Sequence, residues 1–199
     1  MLEKSKNGFS IGYIESISYN LDMPTLYIDA DSLPKTHRAI VLRRIMKDHM
    51  DAFFVADRKL SDVLVSIEED TKALRDPYRG KLEKEELKAI KSNIKMIVVE
   101  SGVNSADDYL VSIATAPGLA ITHDIPLASR LIEKGLLVID DRGREFTSDN
   151  IKELLSYRAI NNDFRDIGVA FAPSGSFDSR TINAFANCFD SMLYRLEAN

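Results

Sequence analysis

Residues 25–34 read TLYIDADSLP, and this stretch decides the fold. TLYI at 25–28 is a short apolar run that predicts a buried strand. Asp29 and Asp31 follow it directly, and Pro34 then stands near the start of a helical pattern over 33–47, with Ala39, Leu42 and Ile45 on one face. The same alternation repeats downstream. AFFVA at 52–56 and IKMIVV at 94–99 are strand candidates, and 105–114 carries a helical pattern. GLAIT at 118–122 predicts a strand, 126–134 a helix stopped by Gly135, and LLVI at 136–139 a further strand. Strands alternating with helices imply βαβ units and a mostly parallel sheet.

Beyond the sheet the chain turns helical. A helix is expected to begin at Thr147 and run through Arg158. A long final one carries Ile182, Phe185, Phe189, Met192, Leu193 and Leu196 at helical spacing, which marks a core-facing stripe. Between them, residues 172–176 (APSGS) suit either a hinge or a plain connection. Two segments look added to a single domain spanning 24–199. Residues 1–23 contain a weakly apolar stretch and form an N-terminal extension. Residues 59–93 are charged with mixed sign and interrupted by Pro77, with Leu82, Leu87, Ile90 and Ile94 suggesting a helix in the second half. They are read as an insertion packed on the domain.

Composition bounds the function. With 45% hydrophobic and 29% charged residues the chain is an ordinary globular one, and its net charge of -5 argues against coating nucleic acid through the overall field. Cys188 is the only cysteine, so an internal disulfide and a cysteine-built zinc site are both excluded, and its apolar helical context suggests a buried small hydrophobe. No signal peptide or membrane-length apolar run is visible, so a cytoplasmic location is expected. His123-Asp124 is a His-Asp dipeptide, but His37 and His49 are the only other histidines and lack the context of a phosphohydrolase. No Gly-rich phosphate loop appears, and Ser174-Gly175-Ser176 lacks a partnered histidine.

The informative feature is where the aspartates fall. Asp29 and Asp31 follow the first strand, Asp107 and Asp108 sit in the first turn of the helix at 105, Asp124 follows the strand at 118–122, and Asp140-Asp141 end the strand at 136–139. Sites in open α/β sheets form outside the carboxyl ends of the strands, so these carboxylates could share one crevice. Hard cations such as Mg²⁺ and Mn²⁺ take oxygen ligands, and one or two carboxylates with water and phosphate suffice for Mg²⁺. Helix capping offers a simpler account of Asp31 and Asp124, which precede proline-led helices, and of Asp108, which stands three residues after Ser105. Asp29 is the least explained by capping.

YIDADSLP (27–34), ADDYLV (106–111), ITHDIPLA (121–128), EKG (133–135) and RGREFT (142–147) resemble, in order and approximate spacing, the YaiI/YqxD family. The resemblance covers 25–56 and 94–194, outside both added segments. It implies a PIN-like three-layer fold, with a central mostly parallel sheet flanked by helices and a helical C-terminal part. It further implies an acidic cluster where metal-dependent PIN nucleases hold Mg²⁺ or Mn²⁺. Carried over by position, Asp29, Asp107 and Asp124 would bind the metal with Asp31 and Asp108 close by, while Arg142 and Arg144 would meet a phosphate or pair with a carboxylate. The chain departs from the family at Asp140-Asp141, where a small residue and proline are usual, and at Phe171-Ala172, where Gly-Gly is usual. Asp141 would add a fourth carboxylate or cap a turn. The basic residues Arg38, Arg43, Arg44 and Lys47 suggest a solvated helix face or a local track for a phosphate backbone. The expectation is a divalent-metal-dependent nuclease acting on RNA or another single-stranded nucleic acid. The alternative is a non-catalytic PIN-like module that binds RNA, nucleotide or protein.

Overall fold

The apolar runs form five parallel strands: β1 (Thr25–Asp29), β2 (Ala52–Ala56), β3 (Ile94–Val98), β4 (Gly118–Ile121) and β5 (Leu137–Ile139). A computed structural model describes residues 23–100, 105–166 and 178–198. A two-residue strand, β6 (Glu145–Phe146), pairs antiparallel with β5 and completes a six-stranded sheet of order β3-β2-β1-β4-β5-β6. The helices are α1 (Lys35–Asp48), α2 (Ser61–Arg75), α3 (Lys84–Ala89), α4 (Ser105–Ile113), α5 (Ile125–Glu133), α6 (Ile151–Asp166) and α7 (Ser179–Glu197), with a 3-10 turn at Asp76–Tyr78.

Alternate strand residues face opposite layers, as the pleat requires. Leu26, Ile28, Phe54 and Ile121 join Val41, Leu42 and Ile45 of α1, Val63 of α2 and Phe185, Phe189 and Leu193 of α7 in one core. Tyr27, Val55, Ala120 and Val138 join Leu110 of α4, Leu127 and Leu131 of α5 and Ile151 of α6 in the other. The result is the mostly parallel sheet expected from the alternation, set in the three-layer α/β arrangement that the resemblance implied. Phe185 and Phe189 stack at 6.0 Å between centroids and are fully buried, so truncating either to alanine costs about 3–5 kcal/mol.

Most elements lie within a residue or two of their predicted ends, and the differences have physical causes. The main helix of the charged 59–93 segment is α2, in its first half, and the second half holds only the six-residue α3. Pro77 sits in the 3-10 turn that ends α2, where its fixed φ is tolerated. α2 connects parallel strands β2 and β3, so half of the segment read as an insertion is the crossover that this pairing needs. On α1 the buried face is Val41, Leu42 and Ile45 with His37 and Arg38, while Ala39 is exposed. The helix expected over 147–158 begins later and runs further, as α6 at Ile151–Asp166, because residues 147–150 close a turn before it: Thr147 Oγ1 accepts from Asn150 N–H at 3.3 Å, and Asn150 Oδ1 accepts from Thr147 N–H at 3.0 Å. The calls on residues 1–22, the loop at 172–176 and Phe171-Ala172 lie outside the described residues.

The order β3-β2-β1-β4-β5 positions the site. From β1 the chain builds outward through β2 and β3, then returns to place β4 on the other side of β1. The carboxyl ends of β1 and β4 are therefore the point where strand order reverses and the flanking loops part to leave a crevice.

Candidate carboxylate site

Asp29 ends β1 on the side of the sheet that Tyr27 faces, towards α4 and α5. Its Oδ2 accepts from Thr122 Oγ1 at 2.7 Å, and the same hydroxyl oxygen accepts from Asp124 N–H at 3.0 Å. Thr122, buried at the end of β4, thus fixes the spacing between the two acidic loops. Ser32 Oγ donates to the Asp29 carbonyl at 3.0 Å and tightens the turn after β1. Arg38 holds that turn from behind: it donates to the Ala30 and Leu33 carbonyls and forks onto Asp62 of α2 at 2.8 and 3.2 Å. Burial pushes the Asp62 carboxyl up, but the Arg38 hydrogen bonds and charge outweigh it and hold it below its ordinary value.

Asp124 caps α5. Its Oδ1 accepts from Leu127 N–H at 3.0 Å, while Oδ2 accepts from Arg158 Nη1 of α6, also at 3.0 Å. Asp107, in the first turn of α4, shares a narrow cleft with Asp29 that Val55, Leu110 and Leu127 close off. Its carboxyl is pushed above the ordinary value by burial, then by the charges of Asp29 and Asp124, against a smaller opposing pull from Arg130. Asp29, Asp107 and Asp124 thus feel one another across the crevice. Among the described residues no three His, Cys, Asp or Glu side chains are gathered into a ready-made chelate.

The remaining predicted residues go elsewhere. Asp31 turns to the end of β2, where it accepts from Asp57 N–H at 2.6 Å and pairs with Arg58 at 3.0 Å. Burial raises its carboxyl. It does not cap α1, whose N-cap is Pro34, so the capping account fails for Asp31 and holds for Asp124. Asp108 pairs with Arg130 at 2.7 Å on the exposed side of α4. Asp140 closes the β5–β6 turn: its Oδ1 accepts from Arg142 N–H and Arg144 N–H at 2.9 and 2.8 Å, and its Oδ2 pairs with the Arg144 guanidinium. Arg144 also lies over the Phe146 ring at 4.9 Å. Arg144 thus has the carboxylate partner that one of its two readings expected. Gly143 has φ +78°, and a Cβ there would stand 2.5 Å from the Ala184 backbone of α7. The Arg-Gly-Arg stretch is therefore first a tight turn pressed against a helix. Asp141 is buried, and burial raises its carboxyl, while His123, Arg142 and His37 draw it back down. On α1, Arg38 is buried and Arg44 pairs with Asp48, Asp190 and Glu197, so only Arg43 and Lys47 of the basic set face solvent as expected.

Two partners escaped the reading of the sequence. Thr122 stands 93 residues from Asp29, and Arg158 stands 34 residues from Asp124. Only the fold brings them together. Directly after Ile121, the threonine looks like any strand end.

Known proteins match this chain without supplying a chemistry. A family profile described as "Uncharacterized BCR, YaiI/YqxD family" matches residues 82–195, beginning inside the segment that looked added. A UPF0178 protein of Pseudomonas aeruginosa (strain PAO1) is 33% identical over 172 residues, covering 86% of this chain and 91% of its own. A UPF0178 protein of Pseudomonas putida (strain W619) is 32% identical over 171 residues, covering 86% of this chain and 97% of its own. No solved structure matches. No helix among the described residues is long and apolar enough to cross a membrane. The residues that carried the resemblance and the breadth of these matches agree: the chain belongs to the YaiI/YqxD family.

Proposed function

We propose that this protein is a divalent-metal-dependent phosphodiesterase acting on RNA or another single-stranded nucleic acid. The observation that carries this reading is the placement of Asp29, Asp107 and Asp124 around the switch point of the sheet, where burial first, and then the charges of Asp29 and Asp124, raise the Asp107 carboxyl. The donor set fits Mg²⁺ or Mn²⁺: it is all oxygen, it is negative, and Asp29 and Asp107 have no described cation within pairing distance. Asp124 fits less directly, because Leu127 N–H and Arg158 already occupy its oxygens. It is a positioning partner first and would ligate through a remaining lone pair. Bound there, the cation supplies Lewis acidity towards a phosphoryl oxygen and lowers the pKa of water. Thr122 orients Asp29, and exposed Arg142 stands on the β5–β6 turn for a phosphate approaching from solvent.

A non-catalytic module is the second reading, and one observation favours it: Arg38, Arg44 and Arg144 are spent on internal carboxylates. Cleavage of mixed RNA and DNA oligonucleotides with Mn²⁺ separates the two. Wild type should cleave, and Asp29→Asn should lose about a hundredfold or more of the rate while melting within a few degrees of wild type. Equal cleavage by both proteins, or none by wild type, would transfer the case to the binding module.

A further inference from the structure

The opposite end of the sheet holds a second unexplained carboxylate. Asp70 lies in the last turns of α2 and is 5% exposed, yet no described residue hydrogen-bonds or ion-pairs with its side chain. The described residues do not seal in its oxygens either, because among them Asp70 lines a cavity of about 400 Å³. That volume is in the range of small-molecule sites, roughly 300–1,000 Å³. The cavity sits at the amino ends of β2 and β3, flanked by Met50 and Asn93, a strand length of roughly 16 Å from the crevice of Asp29. Asn93 Nδ2 donates to the His49 carbonyl at 3.2 Å and ties two of its walls together.

An ionised carboxylate can only accept hydrogen bonds, and no described residue donates one to this side chain. Here apolar walls from Ile45, Met50 and Leu74 surround it, and Tyr78 adds a half-buried phenol. Lys91 also lines the cavity, but it is exposed and does not reach within 4.0 Å of Asp70. What is missing is a positive charge carried on an apolar body. We propose that this cavity binds a small organic cation, a primary ammonium or guanidinium on an aliphatic or aromatic frame, with Asp70 as its counter-ion. A guanidinium would engage both oxygens at once, and the apolar walls would take the frame.

The test is calorimetric titration of the full chain with agmatine and with tyramine, using 1-butanol as the uncharged control. At least one amine should bind wild type one-to-one, with no heat from the alcohol. Asp70→Asn should weaken that binding by about 10- to 100-fold, the value of a charge-assisted hydrogen bond. Without ligand, Asp70→Asn should melt within a few degrees of wild type, because no described residue hydrogen-bonds or ion-pairs with the Asp70 side chain. Failure of both amines to bind, or equal affinity in Asp70→Asn, overturns the site. So does a lower melting temperature in both Asp70→Asn and Lys91→Ala, which would reveal an internal Asp70–Lys91 pair.

Discussion

Asp29 and Asp140 occupy equivalent places, one at the end of β1 and one just past the end of β5, and their surroundings differ sharply. Asp140 is nearly fully buried and receives two backbone N–H groups and the Arg144 guanidinium. Asp29 receives one described side-chain donor, the Thr122 hydroxyl, and faces the negative charge of Asp107. One carboxylate is consumed by the scaffold, and the other pairs with no cation among the described residues. Charge compensation, more than position on the strand, separates a structural aspartate from a candidate ligand in this sheet.

The difference can be broken from the scaffold side first. Gly143→Ala is expected to have the largest effect, a loss of about 3 kcal/mol or more in urea unfolding. The new Cβ would press on the Ala184 backbone at 2.5 Å from a residue already at φ +78°. Stability equal to wild type would show that the turn is free of α7. Next, Asp140→Asn should cost about 2–3 kcal/mol, since the amide keeps one acceptor but loses the charge that holds Arg144. A neutral outcome would mean that Asp140, like Asp29, is not spent on the fold.

These contrasts also explain what the sequence could reveal. TLYI, AFFVA and GLAIT are apolar on both faces because both faces of this sheet are covered, so the strands were plain. α2 was hidden because its stripe is thin: Val63 and Asp70 are its buried residues, and Leu64 and Val65 are exposed. β6 is two residues long, too short for any period. Within the site, Asp29, Asp107 and Asp124 were legible as residues at strand ends and a helix start. Their partners were not, because Thr122–Asp29, Arg158–Asp124 and Asp57–Asp31 are contacts between segments distant in the chain. Asp31 misled for the same reason: a neighbouring strand end offered its N–H before the helix did.

The smallest effect sharpens the comparison from the other side. Asp107→Asn should stabilise the metal-free protein near neutral pH, by less than about 1 kcal/mol, where Asp140→Asn destabilises it. Burial first, then Asp29 and Asp124, hold the native Asp107 carboxyl above 3.8, its ordinary value. The folded state therefore binds that proton more tightly than the unfolded chain does. The contribution is favourable below the unfolded value and is lost as pH rises through the folded one. Asparagine has no such titration, so the stability gap between Asp107→Asn and wild type should open as pH rises from about 4 and then level off. Denaturant melts at a series of pH values measure it, and a gap that is flat or closes with rising pH would contradict the charge crowding at the crevice. Adding Mn²⁺ near neutral pH should then reverse the order, because a cation that offsets three carboxylates stabilises wild type more than a variant lacking one of them.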